Sequence, residues 1–495
     1  MTFRPTSEPV VITGIGVISP LGQTVAQITE ALDQGRSGIG PLQGAHTRSL
    51  PLGGGGEAWD FSGKIEDFGE LPAEKKKAIR KGLKVMCREI QMGVAAAQRA
   101  LQDSGLEQVE LDVDRTGVIF GSDYITTMPE EFQLAVEKCL NDSHEFDFGN
   151  WGAHGIPQIS PLWLLKYLPN MPACHVAIYN DFRGANNSIT VREASANLAL
   201  GEALSTAQRG IVDRLVVGAT GSRLHPLRSL HIVLQETVAE SAAADRRAAD
   251  GSQSGGHSAS GHSASGHSAS GHSASGHSAS GQSGGLSTTG STATLSVPGC
   301  RPFDRNRTGM VLGEGAAAVT LETESAAASR GAAVWGRLLG WGSSAAGNRV
   351  GVADRSQALV NAMRMALAQA GVSVDQVGHV HAHGLGTIAG DQEEGRALET
   401  VFAERRVGPV PVVAAKSYFG NLGAGSGMVE LITSLVSLRR GTLFPILNLE
   451  QVDPECIGQA DRVQLVRTHD VPAGRNVLNI NVTPQGQASA VVVSL

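Results

Sequence analysis

From Asn186 to Leu204 the sequence reads NNSITVREASANLALGEAL. The β-branched residues Ile189, Thr190 and Val191 give way to an Ala-, Ser- and Leu-rich run with the composition of a helix buried on nearly all sides. Glu193 stands at the junction. A carboxylate at a helix N-terminus gains about 0.3–1 kcal/mol from the helix dipole, and ~2 kcal/mol when partly buried. Burial acts against it and can raise a carboxyl pKa by as much as about 3–5 units. The dipole alone loses that contest, so an ionised Glu193 requires a cationic neighbour. Two kinds of chemistry stay open: a paired structural anion, or a catalytic carboxylate that moves a proton or orients a ligand.

Other chemistry-bearing patterns are weaker. Gly14 to Gly16 and Gly313 to Gly315 spell GIG and GEG, but neither continues into GKS, GKT or a dinucleotide fingerprint, so both read as packing turns. Lys75, Lys76 and Lys77, followed by Arg80 and Lys81, read as a solvated helix face. The five cysteines, at 87, 139, 174, 300 and 456, are odd in number and lack CxxC spacing, which points to a reducing compartment. Cys174 reads as a small buried residue in the strand before the junction. Outside a low-complexity tract no His/Cys spacing fits zinc, and neither a metal nor a cofactor is expected.

The elements that must position Glu193 alternate along the chain. Strands are predicted over 10–18, 115–123, 186–191, 214–221, 316–322, 377–382 and 411–414. Helices are predicted over 25–34, 83–104 with Gly105 as the stop, 356–370, 393–403 and 426–438, besides the one that follows Glu193. Short strands alternating with helices indicate an α/β protein with a mixed or parallel sheet covered on both faces.

The chain has 495 residues, 41% of them hydrophobic, enough for two or more domain-sized units. The net charge of −7 and the lack of a basic cluster argue against nucleic acid as a partner. No apolar run reaches the roughly 20 residues that span a bilayer, and the N-terminus does not read as a signal peptide. A cytoplasmic protein is expected. The unit Gly-His-Ser-Ala-Ser recurs between residues 241 and 298, carrying His257, His262, His267, His272 and His277. Such a composition cannot bury enough surface to offset its ordering entropy, so this tract is expected to be a disordered insertion. Its deletion should leave the thermal midpoint nearly unchanged in a melting experiment. A drop of several degrees would show that the tract is docked.

Four segments fall in a recognisable order: VVITGIGVISPLG near the start, RPFDRNRTGMVLGEGAAAVTLE from Arg301, HAHGLGTIAGDQEE from His381 and KSYFGNLGAGSGMVE from Lys416. Together they resemble the β-ketoacyl-acyl-carrier-protein synthases of the elongating type, over nearly the whole chain outside the low-complexity tract. The resemblance implies a thiolase-like α/β fold of two similar halves in a layered αβαβα arrangement, with residues 1–240 and 299–495 as the halves and 241–298 as the insertion. It also implies a homodimer, or a heterodimer with a cysteine-bearing synthase, acting on or binding acyl carrier protein or its acyl thioester.

Carried over residue by residue, the resemblance places Glu193 where the family has its nucleophilic cysteine. It keeps the first histidine as His383, the lysine as Lys416, and the acidic end of the histidine segment as Asp391 and Glu394. Glu394 is expected to pair with Lys416. The second histidine is replaced by Asn421, and the glycine-rich gating run by Asn481-VTPQGQ-Ala488. The cation for Glu193 is expected to be His383 or Lys416. Three roles follow from the resemblance: a non-condensing partner subunit like the chain-length factors, an enzyme with altered thioester chemistry through Glu193, His383 and Asn421, or a scaffold.

Overall fold

The computed structural model describes residues 8–42, 50, 52–239, 297, 299–347, 350–459 and 461–495. The low-complexity tract expected to be disordered lies, apart from residue 297, outside the described residues. Eleven strands are found among the described residues: β1 Val10–Ile18, β2 Thr116–Ser122, β3 Asn186–Thr190, β4 Arg214–Ser222, β5 Glu314–Thr323, β6 Gly336–Ala345, β7 His379–His381, β8 Val410–Val413, β9 Val463–Leu465, β10 Asn476–Val482 and β11 Gln487–Ser494.

Their order, β3-β2-β4-β5-β1-β6-β11-β10-β7-β8-β9, contains one pattern twice. In β3-β2-β4-β5-β1 the first three strands run parallel and the next two pairings are antiparallel. The run β8-β7-β10-β11-β6 repeats the same sequence of directions, with β9 added beside β8. The two sheets join where Val10 to Ile12 of β1 pair with β6.

Helices complete the layers. Arg88–Ser104 covers the outer face of β1, β4 and β5, and Arg355–Ala370 covers β6, β10 and β11. Ser195–Gln208 and Ser426–Arg440 lie between the sheets and touch strands of both halves and each other. Every residue of β1 and β5 is buried, and so is the central helix from Ser426 to Leu438. Strands covered on both faces must be apolar almost throughout, which is how these segments read in sequence. The result is the expected α/β, thiolase-like αβαβα arrangement.

Several boundaries differ from expectation. β5 lies beyond residue 299 yet pairs with β1 and β4, so the first sheet takes a strand from the segment that the sequence reading gave to the second half. The outer helix starts at Arg88, after a 3-10 turn at Leu83–Val85. Cys174 is not in a strand. It sits half-buried on helix Met171–Asn180, because Asn170-Met171-Pro172 starts a helix with proline in its first turn. Lys77, Arg80 and Lys81 are exposed, but Lys75 is half-buried and bridges Glu107 at 2.5 Å and Asn180 Oδ1 at 2.8 Å. No described helix is long and apolar enough to cross a membrane.

Candidate active site

The parallel strands β2, β3 and β4 end side by side, and their carboxyl ends deliver three charged residues to one place: Asp123 after β2, Glu193 after β3 and Arg223 after β4. The turn after β3 is sharp. Arg192 has φ of 47°, a left-handed conformation that costs a β-carbon-bearing residue of order 1–3 kcal/mol. It is held there by an ion pair to Glu236 at 2.6 Å. Ser195 Oγ accepts the Val191 amide at 2.8 Å and donates to the Ser122 carbonyl at 3.0 Å, tying the start of the central helix to β2.

Glu193 is 1% exposed. Its Oε1 accepts a short charged hydrogen bond from Arg223 and a second one, at 3.1 Å, from the Asn421 amide. Arg192 Nε stands 3.4 Å from Oε2. Burial pushes the Glu193 carboxyl up, but Arg223, then Arg192, more than offset it and hold the group well below the usual carboxylate range. The required cation is therefore Arg223, with Arg192 in support, not His383 or Lys416. Arg223 is itself buried and bridges to Asp123 at 3.3 Å; Asp123 in turn pairs closely with buried Arg228. Sequence reading missed these residues. The available signal was the alternation of parallel strands: a charge directly after such a strand lies beside its neighbours' charges at the carboxyl edge of the sheet.

His383 is presented by a loop that two acids shape. Asp391 and Glu394 are spaced i, i+3 on one face of helix Ile388–Val401. Glu394 accepts the backbone amides of His383 at 2.6 Å and Gly384 at 2.8 Å, and Asp391 accepts that of Gly386 at 3.0 Å. Gly384 and Gly386 have φ of 49° and 80°, a turn that a β-carbon would strain. Lys416 does not pair with Glu394. Its partner is Glu430, one turn into the second central helix, and both side chains are fully buried. Lys416 also donates to the His383 carbonyl at 2.7 Å and approaches Nδ1 at 3.3 Å. An ammonium only donates, so Nδ1 accepts and the ring proton rests on Nε2. Burial first, then the charge of Lys416, lower the His383 pKa well below the ordinary histidine value, and the ring stays neutral. Asn481, near the end of β10 and the first residue of the segment 481–488, donates to Glu430 at 2.7 Å.

Asn421 is oriented by its oxygen, which accepts from Gly423 N at 3.0 Å and Ser426 Oγ at 3.3 Å, leaving its amide nitrogen to Glu193 and to Met310 Sδ at 3.5 Å. Thus Glu193 and Asn421 meet directly, His383 and Lys416 meet directly, and Glu394 acts on the backbone behind His383. Glu193 takes one of the two N–H donors of the Asn421 amide. Among the described residues no group of three or more His, Cys, Asp or Glu side chains is arranged to hold a metal.

Burial and Asp391 push the Glu394 carboxyl up from 4.5 to about 8, against its two amide donors. A folded pKa above the unfolded one gives stability that is present at low pH and lost as pH rises toward the folded value. Glu394→Gln should therefore show a flatter urea-denaturation profile than wild type as pH rises from about 4.5 to 8. Parallel profiles would show that Glu394 is ionised throughout.

Comparison with known proteins agrees with this architecture. Residues 7–265 match the family model "Beta-ketoacyl synthase, N-terminal domain" and residues 335–450 match "Beta-ketoacyl synthase, C-terminal domain". The 3-oxoacyl-(acyl-carrier-protein) synthase 2 of Synechocystis is 26% identical over 90% of this chain and 89% of its own, and that of Staphylococcus aureus strain COL is 28% identical over 91% and 90%. Among solved structures, "The ishigamide ketosynthase/chain length factor" aligns over 99% of both chains with a TM-score of 0.71 at 22% identity. A β-ketoacyl synthase from Burkholderia phymatum aligns over 98% of this chain and 99% of its own, with a TM-score of 0.72 at 22% identity. An acyl-carrier protein in complex with its ketosynthase bound to the hexaketide, AntDE:AntF, aligns over 99% of both chains with a TM-score of 0.72 at 20% identity. With both domain models matched in order across most of the chain, and the sheets of the two halves repeating one topology, this protein belongs to the β-ketoacyl synthase family.

Proposed function

We propose that this chain is a non-condensing member of its family, a partner subunit for a cysteine-bearing ketoacyl synthase in fatty-acid or polyketide synthesis on an acyl carrier protein. The observation that carries this reading is the state of Glu193. The residue at the nucleophile's position is a buried anion locked to Arg223 and Arg192, with Asn421 turned onto it. A carboxylate cannot replace the thiolate, because the acyl anhydride it would form hydrolyses readily. A general base works best with a pKa near the operating pH, and Glu193 is held far below it. The similarity to the solved ketosynthase/chain length factor and ketosynthase–carrier complexes supports the choice of partner class. β3 supports dimerisation, since it is an edge strand with largely exposed side chains, open to pairing across a two-fold axis.

The rival reading is altered thioester chemistry with Glu193 as base. His383, neutral with its proton on Nε2, is the feature that favours it, since that N–H can donate to a thioester oxygen. Glu193→Gln separates the two. Measured on the purified chain with acyl- and malonyl-carrier thioesters, and again with a candidate synthase, the substitution should leave pairing and product chain length unchanged, with no turnover by either form alone. Intrinsic turnover that Glu193→Gln abolishes would overturn the partner role. Intact-mass analysis should also find no acyl group on any cysteine.

A further inference from the structure

Beside Glu89, Ser222 and Glu314 lies a cavity of about 500 Å³, within the range of small-molecule sites. Neither Glu193, His383, Lys416 nor Asn421 lines it. Its walls are mostly apolar, with Leu83, Met86, Met128, Tyr167 and Pro226; Glu89 and Glu314 form its acidic floor, and Glu57, Lys84 and His225 also line it. The floor is a built polar site with uneven compensation. Arg88 is committed to Glu314, at 2.8 Å from Nε and 2.6 Å from Nη2. Lys166, at the rim, is committed to Glu131 at 2.6 Å. Arg228 is committed to Asp123 and stands 3.7 Å from Glu89. Glu89, 5% exposed, accepts the Ser222 amide on Oε1 at 3.2 Å, whereas its Oε2 has the weak thiol donor of Cys87 at 3.8 Å. Burial and Glu89 push the Cys87 thiol up, so it is neutral and not a nucleophile.

We propose that this cavity binds an amphipathic amine, a compact apolar body carrying one ammonium that sits on Glu89 Oε2. An ammonium supplies the strong donor that this oxygen lacks and offsets the mutual repulsion of Glu89, Glu314 and Asp123. A carboxylate ligand would add to that repulsion, and a purely apolar one would leave the oxygen unsatisfied at the cost of a buried acceptor. Burial, opposed by Arg228 and reinforced by Asp123 and Glu314, raises the Glu89 carboxyl to about 7, so an arriving cation also displaces its proton near neutral pH. The inference is independent of the role of Glu193.

The test uses the full chain and three probes with one body: 1-naphthylmethylamine, 1-naphthylacetate and 1-naphthylmethanol, titrated calorimetrically at pH 7 in buffers of different ionisation enthalpy. The amine should bind at least tenfold tighter than the other two, with proton release. Glu89→Gln should remove both the preference and the proton release while the alcohol still binds. Met128→Trp, which fills the cavity from its wall and leaves the floor intact, should weaken all three probes. Equal binding of the three, a preference for the acid, no binding by any probe, or a preference that survives Glu89→Gln would each overturn the proposal. Should Glu89→Gln fail to fold, the buffer dependence in wild type and the Met128→Trp series decide it.

Discussion

Arg223→Met should cost about 3–5 kcal/mol in urea unfolding, because it leaves Glu193 buried without its principal counter-ion. Asp123 would keep Arg228, so the damage concentrates on Glu193. Adding Glu193→Gln should recover most of the loss, giving a coupling of roughly 2–3 kcal/mol in a double-mutant cycle. The pH dependence has a definite sign. In the wild type the Glu193 pKa is depressed, so its contribution is present above the unfolded carboxyl pKa and is lost only as pH falls through the low folded value. In Arg223→Met, burial becomes the leading influence and raises that pKa. The variant's deficit should then shrink on acidification from pH 7 toward about pH 4. A deficit below about 1 kcal/mol would mean that Glu193 is neutral or solvated, which would remove the support for the proposed non-condensing role.

A loss of similar size is expected for Lys416→Met, which strands Glu430 inside the second central helix. Burial already drives the Glu430 carboxyl up, and Lys416 is the first influence that opposes it. The substitution also strips His383 of the donor to its carbonyl and its Nδ1, so the ring loses the contact that sets its tautomer. Lys416→Met with Glu430→Leu removes both charges at nearly constant volume and should restore much of the stability, since apolar replacement of a buried ion pair is often neutral. It should not restore the histidine's orientation, which NMR of the ring nitrogens would report. A double variant as unstable as the single one would show that the pair's hydrogen bonds to Asn481 and His383, and not its charge balance, hold this region.

A nearby chain of hydrogen bonds illustrates the same dependence on partners. Ala415 N donates to His381 Nε2, so His381 Nδ1 donates to Ser434 Oγ, and Ser434 Oγ donates to His379 Nε2, whose Nδ1 donates to the Ala473 carbonyl. Of the three alternating histidines in His379-Val-His-Ala-His383, two are thus neutral core residues, and only the third emerges at the site.

By itself the sequence determined the class of fold, because strands such as Val10–Ile18 and Glu314–Thr323 must be apolar over most of their length to lie between two helix layers, and that composition is legible one residue at a time. It also put an acid, Glu193, at the junction before the central helix, and the resemblance aligned that position with the family's nucleophile through local spacing alone. The identity of the counter-ions was not legible. Arg223 is 30 residues from Glu193, and Asn421 is 228. Three parallel strands must stand side by side before their ends become one site. Nor did spacing decide between Glu394 and Glu430 as the partner of Lys416. Both carboxylates are buried near it, and the choice falls to the loop amides that take Glu394 first. Tertiary structure decides such questions because a buried charge is set by whatever reaches it within a few ångströms, and those groups come from strands and loops far apart in the chain.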